Sequence, residues 1–268
     1  MKQSYTKSLF GIALAGLFLF TACHSTREVA VSPVQIVQTE GSMIPMNNRW
    51  DASPDAQAVA LLKPYKAKID SMMYEVIGVC TQTMEKGKPE SELSNLVAEV
   101  LRQAAVQTQG KPADMGLVNM GGLRNILPAG DITVGTVYEI LPFENSLCVV
   151  TLKGAYLKEL LTAIASLGGE GVSGVRMKIK DKELVGALVG GQPIEDEKLY
   201  TVATIDYLAD GNGSMVALTK GVKRDCPEGA TLRGLFLDYV KKQTAAGHKI
   251  TSEKDGRISL TPAGLSKK

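Results

Sequence analysis

The chain has 268 residues, 44% hydrophobic and 22% charged, with 30 basic side chains against 28 acidic ones and only 5% aromatics. That balance belongs to a folded protein and excludes a disordered or fibrous one. Near-neutrality without a basic stripe argues against a nucleic-acid partner.

At the N-terminus, Lys2 and Lys7 precede a mostly apolar, uncharged stretch from Leu9 to Ala22. It is short for a bilayer-spanning helix and has the length of a signal-peptide core. Small residues lead into Cys23 in "LFTACHS", a pattern that resembles the lipobox of bacterial lipoproteins. The expectation is a signal over residues 1–22, lipidation of Cys23, and an exported protein anchored by lipid in a Gram-negative envelope, facing the periplasm. Losing the signal removes both lysines and leaves 28 basic against 28 acidic residues. Residues 23–50 lack sustained periodicity and read as a tether; one domain is expected over 51–262.

In that domain, Ala58, Leu61, Leu62, Tyr65, Ile69 and Met72 recur at roughly helical spacing, with Pro64 as an irregularity. A second helix is expected with Pro89 at its first position, Glu90 and Glu92 facing the positive end of its dipole, and an apolar stripe of Leu93, Leu96, Val97, Val100 and Leu101. Both helices are expected to cover a sheet. From Met115 the pattern shifts to short strands: "GLVNM", "TVYEIL" and "LCVVTL", then a helix from Gly154 to Leu167 stopped by Gly168 and Gly169. Further strands are expected at "VRMKI", Leu184–Val189, "LYTVATI" and "GRISL", with a last helix over Leu232–Thr244. Strands and helices do not alternate one for one, so the class is α+β.

Several chemistries find no support. With only His24 and His248, a histidine-rich metal centre cannot be built, and there is no G-x-S-x-G or Walker sequence. Cys80, Cys148 and Cys226 form neither a CxxC pair nor an even set, so no disulfide is indicated and Cys148 reads as a buried, inert thiol.

A binding constellation remains in "NMGGLR". Gly121 and Gly122 permit unusual backbone conformations and close ligand approach. Arg124 offers a planar fork to a phosphate or carboxylate, or is an ordinary surface arginine on a turn. Asn119 can donate to and accept from a polar ring edge. Phe143 in "LPFENS" and Tyr207 in "TIDYLADGNGS" would make a clamp for a flat heterocycle if their rings are exposed.

These residues, with "ESELSNLVAEVLR", "YTVATIDYLADG" and the final "GRISL" in the same order, resemble the C-terminal domain of the 5'-nucleotidase family from about Pro54 to Leu260. The N-x-G-G-x-R and L-P-F-x-N motifs are specific to it. The resemblance implies four layers, α/β/β/α, with two mixed sheets and a nucleotide site. By position, Asn119 matches a residue contacting the base, Arg124 a phosphate-binding arginine, and Phe143 and Tyr207 the base-sandwiching aromatics, the second being usually Phe. Gly121, Gly122 and Asn145 complete the matched substrate-binding motifs.

Three departures stand out. The Asp that binds the ribose hydroxyls in the family is replaced by Gly213, leaving Asp210 or Asn212 as substitutes. A further phosphate-binding Arg is absent, with Lys86 and Lys88 nearest. The D-x-H and G-N-H-E motifs of the family's metallophosphoesterase domain do not occur in these residues. The expectation is a chain with no metal or cofactor of its own and no hydrolysis alone: the recognition half of a split 5'-nucleotidase, whose separate catalytic chain carries the divalent metals. Two readings stay open beside it, a stand-alone nucleotide- or nucleoside-binding lipoprotein and a scaffold that has lost its ligand.

Overall fold

A computed structural model describes residues 41–43 and 54–261. The expected signal, the lipidated Cys23, residues 51–53 and the expected domain end at 262 lie outside the described residues, as does the tether except for exposed residues 41–43.

Helix α1, Ala56–Met73, is capped by the Asp55 carboxylate, which accepts from the Gln57 and Ala58 amides, and it runs through Pro64 unbroken. It does not cover a sheet as expected. None of its residues is buried, and Leu61, Leu62, Tyr65, Ile69 and Met72 are all exposed.

The second helix, α2 (Glu92–Ala104), begins at Ser91, whose side chain accepts from the Ser94 amide while Ser94 returns a bond to the cap. Pro89 and Glu90 therefore precede the helix rather than opening it. Glu90 is buried, and its carboxylate accepts from the amides of Gly256 and Ile258, fastening the C-terminal strand instead of facing the dipole. Only Glu92 sits in the first turn.

The main sheet has five strands, in the order β10 (Lys223–Asp225), β4 (Leu147–Lys153), β9 (Leu199–Ile205), β2 (Met115–Val118) and β5 (Gly171–Ser173). It is mixed: β2 runs parallel to β9 and every other pair is antiparallel. Strands β4, β9, β2 and β5 are mostly buried because helices cover them, whereas the edge strand β10 is charged throughout. Helix α2 lies so close that a Cβ on Gly116 would fall 2.1 Å from the Ala98 carbonyl oxygen. A second mixed sheet orders β11 (Ile258–Leu260), β6 (Val175–Lys180), β7 (Glu183–Val189) and β8 (Gln192–Pro193), with β11 parallel to β6. An antiparallel ribbon joins β1 (Val76–Cys80) to β3 (Gly130–Thr133). The fold is α+β with mixed sheets.

Three short helices and two longer ones complete it: α3 (Val106–Gln109), α4 (Val134–Ile140), α5 (Gly154–Ser166), α6 (Asp206–Ala209) and α7 (Leu232–Ala245). Helix α4 corrects the strand expected at "TVYEIL". The Thr133 hydroxyl accepts from the Thr136 amide and Thr136 bonds back, a capping box that starts a helix and buries Val137 and Ile140 one turn apart. Cap and packing outweigh the β-branched and aromatic composition.

The cysteines also depart from expectation. Cys148 and Cys226 form a disulfide across a separation of 78 residues, and the remaining described cysteine, Cys80, is free and buried. Pairing of β10 with β4 places Asp225 opposite Val149, which brings the residues next to each of them, Cys226 and Cys148, together.

Candidate functional site

The sheet itself gathers the site. Because β2 and β9 are parallel, their carboxyl ends, Val118 and Ile205, emerge at one edge, and antiparallel β4 begins there at Leu147, opposite Ile205. Three segments therefore meet: Asn119–Arg124 after β2, Asp206–Ser214 after β9, and Leu141–Ser146 before β4. The Ser146 carbonyl accepts from the Asp206 amide at 2.8 Å, joining two of them.

Between them lies a cavity of about 360 Å³ lined by Asn119, Gly121, Gly122, Phe143, Asn145 and Tyr207. That volume falls within the range of small-molecule sites. Phe143 is 48% and Tyr207 45% exposed, so neither ring is a core residue. Tyr207 stands on the single-turn helix α6, where the Asp206 carboxylate accepts from its amide at 2.8 Å.

In the first loop the backbone turns as a 3-10 helix over Met120–Gly122, and the Gly122 amide donates to the Asn119 carbonyl at 3.0 Å. Gly121 and Gly122 are not among the residues with positive φ, which corrects the expectation of unusual backbone conformations. What Gly122 accommodates is the Asn119 side chain, since a Cβ on Gly122 would come within 3.1 Å of Asn119 Oδ1. That oxygen is buried without a hydrogen-bond partner.

Arg124 is exposed next to two lining residues. One of its terminal nitrogens lies 3.3 Å from the Gly121 carbonyl, and the guanidinium carbon stands 5.8 Å from the centroid of the Phe143 ring. Of the two lysines named as replacements for the missing arginine, Lys86 is the closer fit: its ammonium donates to the Leu123 carbonyl at 2.5 Å, one residue before Arg124. Lys88 instead donates to the Leu167 carbonyl at 2.5 Å and stands 3.7 Å from the Glu170 carboxylate.

Two supporting residues escape sequence reasoning. Glu170 is buried beneath the glycine turn, accepts from the Met120 amide, and has its carboxyl pushed above the ordinary range by burial, against the opposing pull of that bond and of Lys88. No local pattern marks a glutamate after Gly168–Gly169 as a loop anchor. Arg233, the second residue of α7, reaches back to the Phe143 loop and donates to the Leu141 and Pro142 carbonyls and to Glu144.

Gly213, which the resemblance sets at the ribose-binding position, is left-handed, φ +61°. Asp210 is engaged elsewhere, paired with Arg224 at 2.6 Å. Among the described residues, no three His, Cys, Asp or Glu side chains are grouped to hold a metal ion.

Residues 76–220 match the family model described as 5'-nucleotidase, C-terminal domain. Over 248 residues, 89% of this chain and 19% of the relative, the chain is 29% identical to the protein named Endonuclease YhcR of Bacillus subtilis. It is 26% identical to Protein UshA of Escherichia coli over 168 residues, 60% of this chain and 30% of that one. The crystal structure of a 5'-nucleotidase precursor from Thermus thermophilus superposes with a TM-score of 0.64 at 26% identity, covering 80% of this chain and 45% of that one. The chain thus spans between about a fifth and two fifths of the length of the first curated relatives it matches. With the matched segment running from β1 through the Tyr207 turn and enclosing all six cavity-lining residues, this chain belongs to the 5'-nucleotidase C-terminal domain family.

Proposed function

We propose that this chain is the nucleotide-recognition half of a split 5'-nucleotidase, acting in nucleotide catabolism with a separate metallophosphoesterase chain. The observation that carries the reading is the cavity between two half-exposed aromatic residues, with an amide side chain and a glycine turn on its wall. Stacking between Phe143 and Tyr207 suits the flat, apolar faces of a nucleobase, each contact contributing about 1 kcal/mol. Asn119 and Asn145 present donors and acceptors to its polar edge. Arg124, at the outer side of the same wall, holds the phosphate end, with Lys86 as a point charge nearby. Divalent metals on the partner would supply the attacking hydroxide and stabilise the displaced group. This chain's contribution is orientation, bringing the phosphate ester into the partner's reach.

We further propose export and lipid anchoring through Cys23, facing the periplasm. The N-terminal pattern supports it, and the Cys148–Cys226 disulfide suits an oxidising compartment. Among the described residues no helix is long and apolar enough to cross a membrane.

Calorimetric titration of residues 24–268 with AMP and adenosine, without metal, tests recognition; adding a cognate metallophosphoesterase chain tests the split. Micromolar binding that favours AMP, followed by association and a gain in turnover, is the expected result. Binding without association supports the stand-alone nucleotide- or nucleoside-binding lipoprotein. Absence of any binding, alone or with the partner, leaves the degenerate scaffold that Gly213 suggests.

A further inference from the structure

We infer that Arg233 is the positioning residue of the aromatic clamp: from beneath the loop, out of contact with ligand, it sets where the Phe143 ring stands. The inference rests on the recognition role proposed above. A half-exposed ring on a loop has few packing neighbours to hold it, and any freedom it keeps must be lost when a base stacks on it.

The loop is held from one side. One terminal nitrogen of Arg233 donates to the Leu141 carbonyl at 3.3 Å and the Pro142 carbonyl at 3.1 Å; the other donates to the Glu144 carboxylate at 2.9 Å. These bonds bracket Phe143 in the chain. The Leu232 amide extends the clamp by donating to the Asn145 carbonyl at 2.8 Å, and Ser146 bridges to Thr231. The same Ser146 carbonyl accepts from Asp206, so the mounting of Tyr207 shares this frame.

Helix stability does not account for an arginine here. With Thr231 as cap, Arg233 is the second residue of α7, where the helix dipole disfavours a cation. It is also 8% exposed, and its one carboxylate partner, Glu144, has a side chain that is 79% exposed and therefore well screened. What compensates the buried charge is the pair of loop carbonyls together with the face of Tyr138, whose centroid is 4.2 Å from the guanidinium carbon. Each is part of, or packed against, the segment leading into Phe143. A lysine would bring the charge without the planar fork that reaches carbonyls and carboxylate at once.

The test combines a double-mutant cycle with a reading that needs no ligand. Adenosine affinity is measured for the wild type, Arg233→Met, Phe143→Ala and the double variant, Met retaining most of the apolar stem. Arg233→Met is expected to weaken adenosine roughly fivefold, and to add almost nothing once Phe143 is gone. Loss of the same size in both backgrounds would overturn the inference, since Arg233 would then act on the fold at large. In parallel, protein labelled with 4-fluorophenylalanine reports the Phe143 ring by fluorine resonance. The expected result is a displaced or broadened Phe143 signal in Arg233→Met with the Phe236 signal unchanged; an unmoved Phe143 signal overturns the inference whether or not adenosine binds. A wild type that binds neither AMP nor adenosine counts against the recognition role alone, and the fluorine reading still decides the positioning role. Should Arg233→Met not fold, Arg233→Lys is read in the same two ways, with a smaller displacement expected.

Discussion

The guanidinium carbon of Arg124 lies 5.8 Å from the centroid of the Phe143 ring, which joins the two ends of the candidate site along one wall. At that distance and exposure the cation–π attraction is worth only about 0.5 kcal/mol. Arg124 is therefore not what holds the ring. Arg124→Ala is expected to weaken AMP about tenfold through loss of a charge-assisted phosphate contact, while adenosine changes about twofold or less. Equal losses for the two ligands in calorimetry would remove Arg124 from a phosphate role.

Much of that wall was legible because its residues sit where apolar runs stop. Asn119 ends the buried run of β2, Phe143 stands between helix α4 and strand β4, and Tyr207 lies two residues past the end of β9, so chemistry-bearing side chains at element ends mark the cavity edge. What stayed hidden has a different origin. The threonine pair at Thr133 and Thr136 outweighs a composition that favours a strand, and only the resulting burial of Val137 and Ile140 makes the helix plain. The Cys148–Cys226 bond and the reach of Arg233 to Leu141 are contacts across 78 and 92 residues, which no local pattern encodes. Helix α1 erred the other way: its apolar spacing is real, yet its own domain leaves that surface uncovered.

Closing a loop of 78 residues restricts the unfolded chain, and the chain-entropy treatment puts the stabilisation at about 4 kcal/mol. Replacing Cys148 and Cys226 together by alanine is expected to lower Tm by on the order of 10 °C. Cys80, the free and buried thiol, is left untouched by that pair of substitutions. Thermal unfolding by circular dichroism, oxidised wild type against the double variant, checks this. Coincident curves would mean that packing of β10 on β4 already supplies the constraint.

Burial raises the Glu170 carboxyl above its ordinary range, with the Met120 amide and Lys88 pulling the other way. The folded protein therefore holds that proton more tightly than the unfolded chain does. The carboxyl's contribution is most favourable below the ordinary carboxylate range and declines as pH rises through the raised folded value. Glu170→Gln keeps an acceptor for the Met120 amide and removes the buried charge. Its Tm relative to wild type is expected to be more favourable at pH 7 than at pH 4. The pair with half-exposed Lys88, 3.7 Å away, is too weak to reverse that sign. A variant more destabilised at pH 7 than at pH 4 would assign the net stability to the ion pair and the charged form.

Gly213 offers a gain of contact. A Cβ there would lie 3.1 Å from Leu208 Cδ2 and 3.8 Å from Tyr207 Cε1, so a side chain at this position starts beside the aromatic wall. With φ at +61° most residues would be strained, but aspartate visits the left-handed region more readily than most, at a cost of about 1 kcal/mol. Asp210 already has one carboxylate oxygen paired with Arg224 at 2.6 Å. If family resemblance places the ribose here, Gly213→Asp should tighten adenosine about fivefold through hydrogen bonds to a charged acceptor and leave 2',3'-dideoxyadenosine unchanged. The ratio of the two dissociation constants is the measurement, because it cancels any general loosening of the turn. A ratio equal to that of the wild type would mean that the sugar leaves the clamp in another direction, and that the glycine reflects a changed ligand pose rather than a missing contact.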